Sequence, residues 1–114
     1  MTVLELQKNC GLRVLAGTCG KMENRISGCY AGDLLSWAMS RLGKNEAWIT
    51  VMGNVNAIGV AALTGCACII LCDNAPLDED ARSSALEHGV TVLQSGERAY
   101  RLALRIGACL SDRG

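Results

Sequence analysis

Residues 47–72 constrain the fold of this chain more than any other stretch. The segments WITVM at 48–52 and ACIILC at 67–72 are almost continuously apolar, which is typical of parallel strands that are covered on both faces. Between them, residues 55–63 are long enough for a crossover helix, and GNVN at 53–56 forms a polar turn before it. The stretch therefore predicts a strand–helix–strand unit with two parallel strands and a right-handed connection.

The remaining residues alternate strand and helix patterns around this unit. Thr2 and Glu5 have the spacing of a capping box for a first helix that ends near Gly11. The pattern also predicts strands at 12–16, 25–30 and 90–93, a loop at 18–24, and helices that begin at the caps Asp33 and Ser95 and at Asp78. Alternating strands and helices predict one α/β domain over residues 1–114, with three layers (α/β/α) and a mainly parallel sheet of four or five strands.

Charge, hydropathy and cysteine content limit the classes of protein that this chain can represent. Lys and Arg together number 11, as do Asp and Glu, and nucleic-acid binding without sequence preference requires an excess of positive charge. No apolar run approaches the roughly 18 residues of a membrane span, and the first residues lack a signal-peptide pattern. The seven cysteines are an odd number and several lie in apolar strand segments, so we expect reduced thiols and a cytoplasmic protein.

Two strand–helix junctions are the candidate ligand site, because ligands of open parallel sheets bind beyond the carboxyl ends of the strands. One junction contains Gly53, Asn54 and Asn56, where glycine permits a tight turn, asparagine can cap the helix, and free backbone N–H groups can hold an anion. The other contains Gly32 and Asp33. The alternative interpretation is two ordinary connections, because a Gly-Asn turn is far less specific than a glycine-rich phosphate loop.

Cys66, Cys68 and Cys72 resemble a metal motif only superficially. They share one parity and so one face of a strand, but Cys68 and Cys72 lie about 13 Å apart along it. Thiolates that bind one zinc ion lie about 4 Å apart, since each Zn–S bond is about 2.3 Å long. Core packing is the better interpretation, and we expect neither a metal nor a cofactor.

Charged and titratable side chains add no catalytic set. His88 is the single histidine, and its position predicts an interaction with a helix C-terminus. A Ser-His-Asp or Cys-His arrangement would have to use this histidine, and no sequence motif assigns it a nucleophile, so we predict that the chain is not an enzyme. Three arginines recur at helical spacing on the polar side of the last helix, which is typical of a solvated face, with an acidic partner or a phosphate as the alternative: Arg98, Arg101 and Arg105.

Two helices carry large side chains outside their predicted buried faces. These faces are Leu34, Leu35, Ala38 and Leu42 in one helix and Ala99, Leu102, Ala103 and Ile106 in the last. Trp37 and Tyr100 lie beside them, either as edges of the core or as part of an oligomer interface. Because a net charge near zero gives little electrostatic barrier to self-association, we expect a homodimer.

Two stretches together resemble the small, stand-alone DRTGG-domain proteins. SGCYAGDLL at 27–35 is similar to the Gly/Tyr/Asp-Leu-Leu entry segment of these proteins, and residues 49–57, 61–63 and 69–72 resemble the domain core. Residues 12–20, followed by Arg25 and Ile26, are similar to the opening of HPr kinase N-terminal domains. The Asp-Arg-Thr-Gly-Gly signature itself is absent, since GNVN at 53–56 occupies the matching region with neither an acid nor an arginine.

The resemblance implies a three-layer α/β/α fold, frequent self-association and a regulatory role beside catalytic or nucleotide-sensing modules. The first hypothesis is therefore a non-catalytic regulatory or assembly module with a protein partner or a second copy. The second is a sensor that holds a nucleotide or another small anion against residues 53–56 and Asp33. The third is an enzyme that uses a cysteine thiolate, for which Cys19 and Cys29 are the loop candidates.

Overall fold

The computed structural model describes residues 1–17 and 19–112. The strands within these residues are β1 (Arg13–Ala16), β2 (Gly28–Ala31), β3 (Glu46–Thr50), β4 (Cys68–Leu71) and β5 (Val92–Gln94). The helices are α1 (Val3–Cys10), α2 (Cys19–Met22), α3 (Leu35–Arg41), α4 (Val55–Thr64), α5 (Glu79–His88) and α6 (Ala99–Asp112). The longest of them has 14 residues, and no helix in the described part of the chain has the length and hydropathy of a bilayer span.

The strands of the described residues form one sheet in the order β1-β5-β4-β3-β2. The pairs β2–β3, β3–β4 and β4–β5 are parallel, and β1 alone pairs in the antiparallel direction, with β5. Ala47 lies opposite Cys68 and Thr50 lies opposite Leu71, with α4 as the crossover between the two strands. The predicted parallel strand–helix–strand unit and the mainly parallel sheet are therefore confirmed.

Two hydrophobic clusters cover the two faces of this sheet and confirm the three-layer architecture. Cys68 and Ile70 point to the cluster that contains the buried residues of α1 and α6. Ile69 and Leu71, which alternate with them along β4, point to the cluster formed with α3, α4 and α5. All four side chains are buried, which explains why β4 has no polar alternation in the sequence.

Helix ends follow the predicted local signals where a side chain has no competing partner. The Thr2 side chain accepts a hydrogen bond from the Glu5 N–H while the Glu5 side chain accepts one from the Thr2 N–H, so the capping box is present. Gly11 and Gly89 end α1 and α5 in the left-handed conformation, which glycine adopts without a Cβ penalty. Asn54 caps α4.

The expected cap at Asp33 is wrong, because tertiary contacts recruit its side chain. The helix begins two residues later, at Leu35, and the preceding Leu34 makes no side-chain cap. The carboxylate of Asp33 instead accepts hydrogen bonds from the end of β3. Leu34, which we expected in the buried face, is 59% exposed, whereas Ala38 and Leu42 are buried as predicted.

Two further local predictions need correction. Residues 18–24 were expected to form a loop, but they contain the short helix α2, and Thr18 lies outside the described residues. The last helix begins at Ala99 rather than next to Ser95. Ser95 accepts a hydrogen bond from the N–H of Glu97 and so closes a tight turn before the helix. Ala99 is consequently exposed, while Leu102 and Ile106 fill the core as expected.

Candidate functional site

A cavity of about 300 Å³ opens at the carboxyl ends of β2, β3 and β4. Three groups of residues line it: Ala31, Gly32 and Asp33 after β2; Ile49, Thr50 and Val51 from β3; and Cys72, Asp73 and Ala99 from the β4 end and the start of α6. This is the edge at which open parallel sheets bind ligands, because the loops that follow adjacent parallel strands meet there. The cavity is therefore the candidate site.

Asp33 is held in this cavity by the end of β3. Its Oδ1 accepts hydrogen bonds from the Thr50 hydroxyl (2.7 Å) and from the Val51 N–H (2.9 Å). Thr50 is only 1% exposed, and its hydroxyl oxygen accepts a further hydrogen bond from the Met52 N–H at 3.2 Å. These contacts use one carboxylate oxygen and orient the other, Oδ2, which has no hydrogen bond to the described residues.

Asp73 contributes the second carboxylate. It follows β4 and adopts a left-handed backbone conformation with φ 56°, as does Asn74 with φ 55°, and Asp and Asn tolerate this region better than other non-glycine residues. The turn is closed by a 2.9 Å hydrogen bond from the Ala75 N–H to the Cys72 carbonyl. The Asp73 N–H donates to the carbonyl of Glu97 at 2.8 Å, which ties this turn to the segment before α6.

The charge of the cavity follows from these two residues. Asp33 and Asp73 line it, and the described lining contains no Lys, Arg or His. Negative potential in a cleft repels anions and attracts cations and hydrogen-bond donors. The cavity therefore suits hydroxyl or amino groups better than the anion that the strand–helix junctions suggested.

The predicted junction at residues 53–56 lies outside the cavity lining. Gly53 packs against the loop before α5: a Cβ built there would overlap the Pro76 carbonyl oxygen and lie 3.0 Å from the carbonyl carbon. The Gly53 carbonyl also accepts a 2.9 Å hydrogen bond from the Asp78 N–H. Asn54 Oδ1 is occupied by the Ala57 N–H at 2.9 Å, and Asn56 is exposed on α4. Of the predicted ligand residues, the cavity thus contains Gly32 and Asp33.

Sequence reasoning missed Thr50 and Asp73 as residues of the site. Both lie at the ends of predicted buried strands, as Asp33 does, and that shared position was the signal that could have found them. Thr50 was assigned to the interior of a strand, and Asp73 was assigned to a turn. Their approach to Asp33 depends on β2, β3 and β4 being consecutive in the sheet.

The cysteine side chains that the structure describes do not assemble into a metal site, and none of them has a lowered pKa. The described residues contain no group of three or more His, Cys, Asp or Glu side chains that is arranged to hold a metal. Cys68 and Cys72 pack in the α1/α6 cluster, whereas Cys66 packs in the opposite one, so the expectation that all three share a face is wrong. Burial, with a smaller effect from the Glu46 carboxylate, raises the pKa of Cys29 to about 11. The side chain of Cys19 lies outside the described residues.

The two predicted interface residues are exposed on different layers. Trp37 is 54% exposed on α3, with the Arg41 guanidinium carbon 4.0 Å from the centre of its ring. Tyr100 is 73% exposed near the start of α6. The buried residues of α3 and α6 belong to the clusters on opposite faces of the sheet, so the two aromatic side chains belong to different layers.

The polar side of α6 is exposed. Arg105 forms a 2.6 Å salt bridge with Glu97, while Arg98 and Arg101 are exposed without an ion pair to the described carboxylates. A solvated face, as predicted, accounts for these arginines.

The fold is similar to that of a known regulatory region. The chain superposes with a TM-score of 0.76 on the crystal structure of the CBS and DRTGG domains of the regulatory region of Clostridium perfringens pyrophosphatase, complexed with its activator diadenosine tetraphosphate. The sequence identity is 6%, and the match covers 92% of this chain and 45% of that one, so this chain spans less than half of its length. No protein-family model matches the chain, and no curated protein matches its sequence. At this identity the likeness is one of fold, and it supports the α/β/α architecture that the resemblance to DRTGG domains implies.

Proposed function

We propose that this chain is a non-catalytic regulatory module that binds a small molecule in the cavity at the carboxyl ends of β2, β3 and β4. The observation that carries the proposal is the Asp33 carboxylate, fixed by Thr50 and Val51 with its Oδ2 free of described partners in a cavity of about 300 Å³. The fold likeness to a regulatory region that was crystallised with a nucleotide activator is additional support.

The chemistry of the lining indicates the part of a ligand that enters this cavity. Two carboxylates accept hydrogen bonds, so they complement sugar hydroxyls or amino groups. A volume of about 300 Å³ is at the lower end of the range for small-molecule sites. We therefore propose a nucleoside-sized group that presents hydroxyl or amino donors to Asp33 and Asp73, with any phosphate directed away from them.

A thermal-shift screen of nucleosides and nucleotides tests the proposal. A ligand at 100 times its Kd stabilises the folded state by about 2.7 kcal/mol, so a binder raises Tm measurably. Asp33→Asn keeps an Oδ1 acceptor for Thr50 and Val51 but removes the charge and the free acceptor, so it should lose the ligand shift and remain folded. Asp78→Asn, at the exposed N-cap of α5, where the side chain makes no cap hydrogen bond, is the matched control. Absence of a shift with every nucleoside and nucleotide contradicts the proposal.

Self-association is the second part of the proposed regulatory role. Exposed aromatic side chains are enriched in interfaces, and Trp37 and Tyr100 are exposed on opposite layers. We therefore expect one of them, but not both, to contribute to a twofold homodimer interface. Light scattering at tens of micromolar, on the wild type and on Trp37→Ser and Tyr100→Ser, tests this: one substitution should shift the equilibrium toward monomer. A strict monomer in the wild type removes this part of the proposal.

A thiol-dependent enzyme is the alternative that the structure favours least. A nucleophilic cysteine needs a lowered pKa, whereas the pKa of Cys29 is raised. We keep the expectation of a cytoplasmic protein, for which the odd number of cysteines is the support.

A further inference from the structure

A second cavity lies at the opposite edge of the sheet, at the amino ends of the parallel strands. It has a volume of about 280 Å³, and its lining includes Lys21, Lys44 and His88, together with Asn24 and Asn45. No Asp or Glu is present among the described residues that line it. The charge of its lining is therefore opposite to that of the carboxyl-end cavity, whose described lining contains two carboxylates and no Lys, Arg or His.

The two lysines leave an excess of positive charge in this cavity. The Lys44 side chain lies beside Gly65, the C-terminal cap of α4, because a Cβ built on that glycine would be 3.5 Å from Lys44 Cγ. The Lys21 side chain lies beside Gly89, the cap of α5, in the same way, with its Cε 3.2 Å from the Cβ position. Each helix C-terminus carries about half a negative charge, so the two ends offset about one of the two lysine charges. Neither ammonium group forms an ion pair with a described carboxylate, and about one positive charge remains for an anion.

His88 connects this cavity to an apolar groove between α4 and α5. The groove has a volume of about 360 Å³ and is lined mainly by α4, with Ile58, Gly59 and Leu63, and it shares Ala62 and His88 with the basic cavity. His88 Nδ1 lies 2.9 Å from the Ser84 carbonyl oxygen. Because a carbonyl only accepts, Nδ1 donates in this contact, which holds the imidazole ring where the cavity and the groove meet.

Gly59 keeps the groove open. It lies in the interior of α4, where glycine costs about 1 kcal/mol relative to alanine. A Cβ at this position would meet no atom within 4 Å, so core packing does not require a glycine there. Leu63, at the next turn, is 75% exposed, and the groove thus offers uncovered apolar surface directly beside a basic cavity.

We propose that this edge of the sheet is a second ligand site, which binds a phosphate monoester with an apolar organic group. The phosphate lies between Lys21 and Lys44, with Asn24 and Asn45 as further hydrogen-bond donors, and the apolar group lies in the groove over Gly59 and Ala62. The site is independent of the carboxyl-end cavity, because the length of the strands separates the two edges. A small molecule is the occupant that fits, since the basic cavity has a volume of about 280 Å³ and the groove one of about 360 Å³, and the two lysines complement one compact anion.

Isothermal titration calorimetry with three probes separates the two halves of this site. Phenyl phosphate contains both parts of the proposed ligand, inorganic phosphate contains the anion alone, and phenol contains the ring alone. A lysine that donates a charge-assisted hydrogen bond contributes about tenfold to Kd, and burial of the ring contributes about tenfold or more. Phenyl phosphate should therefore bind at least tenfold more tightly than inorganic phosphate, and phenol should show no heat of binding.

Two pairs of variants assign the binding to residues. Lys21→Ala with Lys44→Ala should weaken phenyl phosphate binding by about a hundredfold, whereas Lys8→Ala with Arg101→Ala, an equal change of charge at exposed positions, should not. Gly59→Leu fills the groove and should reduce the affinity for phenyl phosphate to that for inorganic phosphate. Gly107→Leu, at an equally open helical glycine on α6, should leave both affinities unchanged.

The same measurements can overturn the proposal. An equal loss of phenyl phosphate affinity in the Lys21/Lys44 double variant and in the Lys8/Arg101 double variant would mean general attraction to a basic surface. Unchanged affinity in the Lys21/Lys44 double variant would place the phosphate elsewhere. No binding of phenyl phosphate at millimolar concentration removes the site. Asp33→Asn should not affect this binding, so failure here and failure of the proposed function at the carboxyl-end cavity remain distinguishable.

Discussion

The Thr50 hydroxyl donates a 2.7 Å hydrogen bond to the Asp33 carboxylate, and this bond joins the carboxyl ends of β2 and β3. Thr50 is buried, and its hydroxyl oxygen also accepts a hydrogen bond from the Met52 N–H. The bond therefore has two roles: it stabilises the start of the β3–α4 connection, and it orients the carboxylate on which the proposed ligand site depends.

Replacing Thr50 by valine should destabilise the protein. Thr50→Val preserves shape but removes the donor to Asp33 and the acceptor for the Met52 N–H, and we expect the free energy of unfolding to fall by about 1–2 kcal/mol. Urea unfolding, followed by tryptophan fluorescence, measures the change. In Asp33→Asn the oxygen acceptor is retained, so the loss should be smaller; an equal or larger loss in Asp33→Asn would contradict the geometry described.

Alanine at Gly53 and at Gly59 should change stability in opposite directions. At Gly53 the new Cβ would overlap the Pro76 carbonyl, and overpacking against backbone should cost about 3 kcal/mol or leave the protein unfolded. At Gly59 the Cβ meets open space within α4, and the higher helix propensity of alanine should add up to about 1 kcal/mol. Thermal unfolding of the two variants, which carry the same chemical change, is the measurement; similar Tm values would exclude this interpretation.

The cap of α4 should contribute more than the equivalent position of α5. Asn54 Oδ1 accepts a hydrogen bond from the Ala57 N–H, so Asn54→Ala should lower the free energy of unfolding by about 1 kcal/mol. Asp78 occupies the N-cap of α5 without a side-chain hydrogen bond, and Asp78→Ala should cost less, about 0.5 kcal/mol from the helix dipole. Denaturant titration of both variants compares them, and the reverse order would count against the assigned caps.

Cys29 should react slowly with thiol reagents at neutral pH. It is an exposed residue, yet desolvation and the nearby Glu46 carboxylate raise the pKa of its thiol to about 11. The low thiolate fraction should make labelling at pH 7.5 about tenfold slower than that of free cysteine, after allowance for the higher nucleophilicity of a more basic thiolate. The rate should keep increasing up to about pH 11. A Cys29→Ser variant identifies its contribution, and rapid labelling at pH 7.5 would revive the thiol-enzyme hypothesis.

Stability should decrease at alkaline pH because of the buried thiols. Burial raises the pKa of Cys66 from its ordinary value of 9.0 to about 11. The unfolded chain therefore releases this proton first, and the contribution of Cys66 to the free energy of unfolding is constant below pH 9 and falls as the pH rises from 9 to 11. Cys66→Ala should show a flatter profile over this interval in pH-dependent thermal unfolding. Parallel profiles for variant and wild type would show that Cys66 is not responsible.

The parts of the fold that were predictable from the sequence are those with a local cause. The apolar residues of β3 and β4 are continuous because both faces of these strands are covered by helices. Thr2 with Glu5, Asn54 and Gly89 set helix ends through contacts within a few residues. In these places the residue type and its neighbours contain the whole physical reason, so the pattern was sufficient.

The candidate site was less predictable, because competing partners are distant in sequence. Asp33 has the residue type of a helix cap, but Thr50 and Val51 bind its carboxylate instead. Gly53 resembles the glycine of a ligand loop, whereas close packing on Pro76 explains why a residue without a Cβ is needed there. Local pattern offers two uses for each residue, and the long-range contact decides between them.

The sequence by itself determined the α/β class, the parallel β3–α4–β4 unit and several helix ends, because burial on two faces and capping leave local signatures. Only the tertiary structure decided that Asp33 and Asp73 line one cavity at one edge of the sheet and that Lys21 and Lys44 line another at the opposite edge. The physical reason is strand order: hydrophobic periodicity specifies that a strand is buried, but which strands become neighbours depends on how all the helices pack together over both faces.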